Sequence, residues 1–407
     1  MSSYESVQSG PGYTEFVFLI ALIISMVALS IDAMLPALPQ IAEDLGVERI
    51  NDSQYVISLF FAGMGLGQIL FGPLSDSIGR RPSILAGFVV FAGGCVLSVA
   101  ATSFEWMLAG RFLQGLGASG PRIVSIALVR DRYKGREMAR VMSFVMTVFI
   151  LVPVFAPALG QLILFLADWR SIFMLFLVLA AATSIWFWRR QPETLPAERR
   201  IAFSLVQLIA DTRAILGIRA ALGYTLTMGF VFGAFIGYLS SSQQIFQVQY
   251  GLGDRFPLFF GILACSIGAA SLTNARLVMR YGMRRLSGFA LRVISYLSIP
   301  FFLIALGVEG HPHLALLMLY LLIVFFFFGI LFGNLNALAM EPLGRVAGLG
   351  SAVVGSLSTL ISVGFGIIVA DAYDETVLPL VLGFALLGLA GLATMRWTEK
   401  GLLAERV

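Results

Sequence analysis

The chain reads as an all-α integral membrane protein of twelve transmembrane helices, arranged as two pseudo-symmetric six-helix bundles. Three observations predict this. First, of 407 residues 58% are hydrophobic and only 12% charged, too little charge for a soluble protein to cover its apolar surface. Second, the apolar residues fall into separate stretches of about 20, the length a helix needs to cross a bilayer. Third, the two halves resemble each other. The net charge of +4 would suggest nucleic acid in a soluble chain. Here the basic residues sit in short loops between apolar stretches, where they set membrane orientation instead, and no nucleic-acid partner is expected.

Lipid offers no hydrogen bonds, so a spanning segment is expected to be helical. The first span covers residues 14–36; its stretch "FVFLIALIISMVA" carries no charge. The next five lie near 53–73, 83–103, 105–129, 139–166 and 170–189. The polar stretch "RRQPETLPAERRIAFSLVQLIADTRAILGIR" follows. The second set lies near 217–240, 256–275, 286–307, 313–340, 346–370 and 376–396. This divides the chain into an N-terminal bundle (1–190), a cytoplasmic linker (191–216) and a C-terminal bundle (217–407).

Alternate loops are basic. One side carries Arg80 and Arg81, then Arg130, Arg132, Lys134, Arg136 and Arg140, then six arginines of the central stretch. Arg276, Arg280, Arg284, Arg285, Arg345, Arg396, Lys400 and Arg406 belong to the same side, whereas the other holds Arg49, Arg170 and Arg255. The positive-inside rule puts the basic side and both termini in the cytoplasm. The N-terminal tail lacks a basic region ahead of its apolar run, so no cleavable signal peptide is expected. Cys95 and Cys265 each lie within a span and read as core residues rather than a disulfide framework.

The duplication shows in "LSDSIGRR" between spans two and three and "LVMRYGMR" between spans eight and nine. Gly79 and Gly282 stand 203 residues apart, half the chain length. A repeat at that offset points to two bundles with a site between them.

Against this background Asp32, at the far end of the first span, stands out. An ionised carboxylate inside a membrane costs about 2.5–3.5 kcal/mol on insertion scales, so it marks a functional site unless it is an interfacial helix end. On the fourth span Arg111 and Arg122 are eleven residues apart, close to three helical turns, and share a face. That face either lines a wet interior or lets Arg122 snorkel to the interface. Counting residues from the span ends puts Asp32 and Arg111 at similar depth, so an Asp32–Arg111 pair is open to them. "GLGASG" in the same span matches a dinucleotide-binding pattern, but with no strand before it the glycines read as helix packing. No G-x-x-x-x-G-K occurs, so no ATP site is expected. Neither a cofactor nor a metal is expected. Energy for any transport then comes from an ion gradient or the substrate's own.

The segments "GPLSDSIGRRP", "RFLQGLGASG", "VPVFAPALGQ" and "DAMLPALPQIAEDLG" resemble the major facilitator superfamily, and within it the bicyclomycin and chloramphenicol resistance (Bcr/CflA-like) exporters, a resemblance that covers nearly the whole chain. "GPLSDSIGRRP" resembles that superfamily's motif between helices two and three, with Gly72, Asp76, Gly79, Arg80 and Arg81 in place and Ser77 where an arginine is usual. "RFLQGLGASG" looks like the helix-four motif, and "VPVFAPALGQ" like the helix-five antiporter motif, with Ala156 and Gln161 in place of glycines. "DAMLPALPQIAEDLG" is most similar to the drug-exporter branch. The resemblance implies Asp32 and Arg111 as proton-coupling or substrate residues.

Physical readings stand beside it. Gly72 allows close helix approach, and Asp76 is suited to bind the arginines or cap a helix across the bundle as a gating latch. Pro153 and Pro157 with Ala156 and Gly160 suit a bend that seals the interface between halves. Gln114, Arg122, Tyr238, Gln243, Gln244, Asn334 and Asn336, among many phenylalanines including "FFFF" at 325–328, are expected to line a cavity for amphiphiles. His311 and His313 fall in an outer loop, where a solvated role is expected over proton relay. The expected activity is proton-driven export of small amphiphilic compounds, antibiotics among them, from the bacterial inner membrane, by a monomer. A single-metabolite carrier is the first alternative. A membrane enzyme lacks a metal cluster or a G-x-S-x-G elbow to support it, and a receptor would have no use for duplicated halves.

Overall fold

The computed structural model describes residues 10–404; the side chains at 50, 345–347, 403 and 404, and the tail with Arg406, lie outside the described residues. Among the described residues twelve helices are long and apolar enough to cross a membrane. The first span begins with α1, Tyr13–Asp32. It stops short of the expected residue 36 because Pro36 and Pro39 have no N–H to give a continuing helix. A 3-10 turn at Leu35–Ala37 carries the chain into α2, Leu38–Asp44.

α3 (Tyr55–Ile78) and α4 (Arg80–Val99) are separated by Gly79 alone, at φ 109°. The N-terminal bundle is completed by α5 (Phe104–Arg132), α6 (Gly135–Leu166) and α7 (Arg170–Arg190). The linker contains α8, Leu205–Gly217, with Ser204 Oγ accepting from Gln207 N–H at 3.3 Å as its cap; the sequence reading had not anticipated this helix. The second bundle follows: α9 (Arg219–Gln243), α10 (Phe256–Tyr281), α11 (Met283–Leu306), α12 (Leu314–Met340), α13 (Ala347–Asp371) and α14 (Leu378–Ala404). Gly282, between α10 and α11, sits at φ 76° and ψ 153°, close to the ψ of 162° at Gly79. Both backbones lie where only glycine is unstrained. The half-length repeat read from the sequence is therefore a repeat of backbone conformation.

Inside the first bundle helices touch backbone to backbone. A Cβ at Gly63 would collide with the Phe112 carbonyl of α5, and one at Gly115 with the Phe60 carbonyl of α3. Gly117 meets α4 at Phe91 in the same way. The "GLGASG" run is thus a packing surface. Between bundles α3 lies along α13, and α6 along α10. The basic helix ends gather on one face: Arg190 of α7 holds Glu15 of α1 through two bonds of 2.7 Å, and Arg81 of α4 donates to Trp188 O of α7 at 2.5 Å.

Gly115→Ala is expected to lower unfolding stability by about 1–3 kcal/mol, because the new methyl forces α3 and α5 apart. Thermal unfolding of purified protein in detergent checks this; an unchanged midpoint would show that the helices have room.

Candidate functional site

Asp32 closes α1 in the interior, 5% exposed. Among the described residues it has neither a hydrogen-bond nor an ion-pair partner. The next residue, Ala33, presents its carbonyl to Gly160 of α6, where no Cβ would fit. Ala156, Pro157 and Gly160 are all buried on that face, and α6 runs unbroken past Pro153. Gly160 thus presses on the end of α1 within its own bundle rather than on the other half. The other side of α6, at Ile150 and Val154, packs on α10 at Gly268 and Gly261.

Arg111 does not meet Asp32. Its Nε donates to Val56 O at 3.0 Å and its Nη1 to Gln114 Oε1 at 2.6 Å. Its guanidinium lies 4.6 Å from the Phe60 ring centroid and 5.9 Å from that of Phe173. Gln114 donates onward to Gly94 O at 3.1 Å and Ser98 Oγ at 2.8 Å. Arg111 and Gln114 are therefore an internal polar knot among α3, α4, α5 and α7, 0% exposed, rather than cavity-lining groups. Arg122 differs: it is partly accessible although protein surrounds it, and it has no hydrogen-bond or ion-pair partner among the described residues.

From the second bundle Tyr238 of α9 lies close enough to Asp32 to interact with it electrostatically. Its hydroxyl is buried without a hydrogen-bond partner. Its ring stands edge-on to Phe325 of α12, with centroids 4.5 Å apart. The partly accessible Phe232, Phe235 and Phe332 continue this wall, Phe232 stacking on Phe332 at 4.5 Å. Other expected lining residues are engaged elsewhere. Asn334 and Asn274 exchange hydrogen bonds of 2.9 and 3.0 Å, tying α12 to α10. Gln243 donates to Gln247 Oε1 at 2.9 Å, and Asn336 is exposed on a different face from Asn334.

Hydrogen bonds between the halves gather at the arginine-poor end. Arg49 Nη2 holds Asp371 Oδ1 at 2.7 Å, and Asn51 Nδ2 donates to Asp371 O at 3.1 Å and Tyr373 O at 2.8 Å. Gln54 Nε2 donates to Gln244 Oε1. Gln161 of α6 donates to Asp254 at 2.9 Å, just before α10. Gln244 is therefore part of this clasp and not a lining residue. The Tyr373 hydroxyl is pushed up to about 12, by burial first and then by Glu375 and Asp374, so it adds no charge there. Sequence reading missed the clasp; the one signal was Arg49, a rare basic residue on that side.

At the basic end the ion pairs form within a half, and those of the first half involve its linker. Arg80 Nη1 pairs with Asp76 Oδ1 at 2.5 Å and donates to Ser75 Oγ at 2.7 Å, while its Nε reaches Asp131 Oδ2 at 3.1 Å. Asp76 thus binds Arg80, one turn away, instead of capping a helix across the bundle. Glu193 of the linker takes the cap of α4, accepting from Arg80 N–H and Arg81 N–H at 2.9 Å each. Gly72 does cross the halves: a Cβ there would lie 3.0 Å from Ala352 Cβ of α13.

The sequence profile of the Major Facilitator Superfamily matches residues 19–367. The chain is 31% identical to the "Uncharacterized MFS-type transporter YdgK" of Bacillus subtilis, over 84% of this chain and 85% of that one. It is 29% identical to the "Bicyclomycin resistance protein homolog" of Haemophilus influenzae, over 90% and 92%. Among solved structures, the human organic anion transporter MFSD10 (TETRAN) superposes with a TM-score of 0.68 at 20% identity, covering 93% of this chain and 98% of that one. At that identity the likeness is one of fold.

Two outcomes test the geometry. Tyr238→Phe is expected to keep or raise thermal stability, by up to about 1–2 kcal/mol, since the lost hydroxyl is unsatisfied; a clear loss would reveal a partner for it. Gln54→Ala is expected to weaken the clasp by about 1–3 kcal/mol. Its readout is faster labelling, from the arginine-poor side, of a cysteine placed at Phe235 in a background without Cys95 and Cys265.

Proposed function

The chain belongs to the major facilitator superfamily, and on that footing we propose that it exports small amphiphilic compounds, antibiotics among them, in exchange for protons. The observation that carries this reading is Asp32, a buried carboxylate with no hydrogen-bond or ion-pair partner among the described residues, within electrostatic reach of the unsatisfied Tyr238 hydroxyl and its aromatic wall. A membrane interior tolerates an ionised carboxylate only where water, a cation or a hydrogen bond meets it. Alternating access supplies each in turn. With the clasp open, outside water brings Asp32 a proton. With the clasp shut and the basic end open, the proton leaves to the cytoplasm, and a cationic or hydrogen-bonding drug takes its place. The aromatic wall holds the apolar part of many shapes by area rather than by directed bonds. Arg122 adds a positive charge to the same interior.

The clasp of Arg49, Asn51, Gln54, Gln244 and Asp371 is the outer gate in this reading. The cluster of Asp76, Arg80 and Asp131 with Glu193 is the inner hub, which keeps the first bundle rigid while Gly72 lets α3 slide close to α13. Both bundles lie in one chain, divided as 1–190 and 217–407 by the linker 191–216, so a monomer suffices. The basic helix ends and both termini face the cytoplasm, in the inner membrane of a bacterium, as positive-inside orientation requires. The name of the Haemophilus influenzae relative supports an antibiotic substrate.

Proton release from acidified inverted vesicles, followed with a pH-sensitive dye, tests the reading. Several unrelated amphiphilic drugs should dissipate the gradient with wild type and fail to do so with Asp32→Asn, whose folding is verified by an unchanged thermal midpoint. A response to one metabolite only would sink the drug assignment. No response in folded wild type would sink proton coupling.

A further inference from the structure

Away from the central site, α11 and α14 enclose a cavity of about 440 Å³ near their basic ends. Arg284, Arg285, Arg292, Arg396 and Glu399 line it, with Leu392 and Met395 among its apolar walls. The arginines are not spent on one another's neighbours. Arg284 is bound to Glu341 at 2.8 Å. Arg285 and Arg396 have no hydrogen-bond or ion-pair partner among the described residues, and Arg292 meets only the field of Glu399. One carboxylate thus faces three arginines free to bind an anion.

The placement is informative. Arg292 is nine residues into α11, about 14 Å along a helix that crosses the membrane. An arginine at that depth is costly on a lipid-facing surface unless it reaches an interfacial anion. Arg285, Gly288 and Arg292 recur at helical spacing on one face, and Gly288, buried, leaves room between the two arginines. Phe289 and Trp397, on the same two helices, are 51% and 44% exposed, as rings on the lipid-facing side of a spanning helix are. Trp397 is also the kind of ring that sits at headgroup level, and Arg219 lies over it at 4.3 Å.

We propose that this pocket binds the phosphate of an anionic membrane phospholipid, through Arg285, Arg292 and Arg396, with the upper acyl chain against Leu392 and Met395. Arginine is suited to this because its planar fork meets two phosphate oxygens at once. The apolar walls distinguish the lipid from a free phosphate, which would gain nothing from them. Basic pockets between membrane helices are established headgroup sites as a class. The lipid would bridge α11 to α14 at the edge of the second bundle.

The test is native mass spectrometry of the full chain in detergent, titrated with phosphatidylglycerol, with phosphatidylcholine, and with glycerol 3-phosphate as the soluble source of the same phosphate. Phosphatidylglycerol adducts should exceed phosphatidylcholine adducts at equal concentration. The Arg292→Gln/Arg396→Gln double variant should weaken phosphatidylglycerol binding about thirtyfold, while Arg292→Lys, which keeps the charge, should keep most of it. Equal binding of the two lipids, or unaltered binding in the double variant, would overturn the proposal. Displacement of phosphatidylglycerol by equimolar glycerol 3-phosphate would overturn the lipid assignment in favour of a soluble ligand. If the double variant does not fold, the contrast between the two lipids on wild type and on Arg292→Lys decides the matter.

Discussion

Inside a bilayer no water satisfies a stray polar group, so every polar side chain within these spans must find a protein partner or face a wet cavity. Most find partners. Arg111 is enclosed by Gln114, the Val56 carbonyl and two aromatic rings. Asn334 and Asn274 satisfy each other. Ser362 of α13 donates to Gly229 O of α9 at 3.0 Å. What is left over among the described residues includes Asp32, the Tyr238 hydroxyl and Arg122, beside scattered hydroxyls such as those of Ser25, Ser58, Ser125 and Ser356 and the Nη2 of Arg111. The candidate site draws on Asp32, Tyr238 and Arg122, the first two from α1 and α9, the helices that open the two bundles.

Close helix packing follows from the same constraint. Between apolar helices in lipid there is little hydrophobic gain, so contact relies on small residues and van der Waals fit. Gly63, Gly115 and Gly117 let α3, α4 and α5 approach backbone to backbone, which makes the first bundle a stiff body. Gly160 does the same for α6 against the end of α1, so the carboxylate of Asp32 is held on a firm support. Rigid bundles and a narrow interface between them are the conditions under which a rocking motion can expose one site to two sides.

The two ends of the interface are built differently. At the arginine-poor end the bonds run between halves, from Arg49, Asn51 and Gln54 to Asp371, Tyr373 and Gln244. At the basic end Asp76, Arg80, Asp131 and Glu193 bond within one half and its linker. The Arg49–Asp371 pair is largely exposed, at 63% and 43% of its side chains. Exposed pairs of this kind contribute little each, so the clasp is made of bonds that can open without a large cost.

The number and place of the spans, the basic and non-basic sides and the half-length duplication are legible in the amino-acid order alone. Each of these depends on hydropathy or spacing along one helix, and a local pattern records them: Gly79 and Gly282 predict the repeat because each turn needs a left-handed residue. The same order also singled out Asp32, since charge within an apolar run is visible without a fold. Tertiary structure decided which polar groups are partnered. Equal depth on two helices does not fix rotation about their axes, and rotation is what turns Arg111 toward Gln114 and away from Asp32. Pairs such as Arg49 with Asp371, or Asn334 with Asn274, join residues far apart in the chain, and no periodicity within a single helix records such a meeting. The break after Asp32 was half legible, in the prolines, but only packing against Gly160 showed what the break serves.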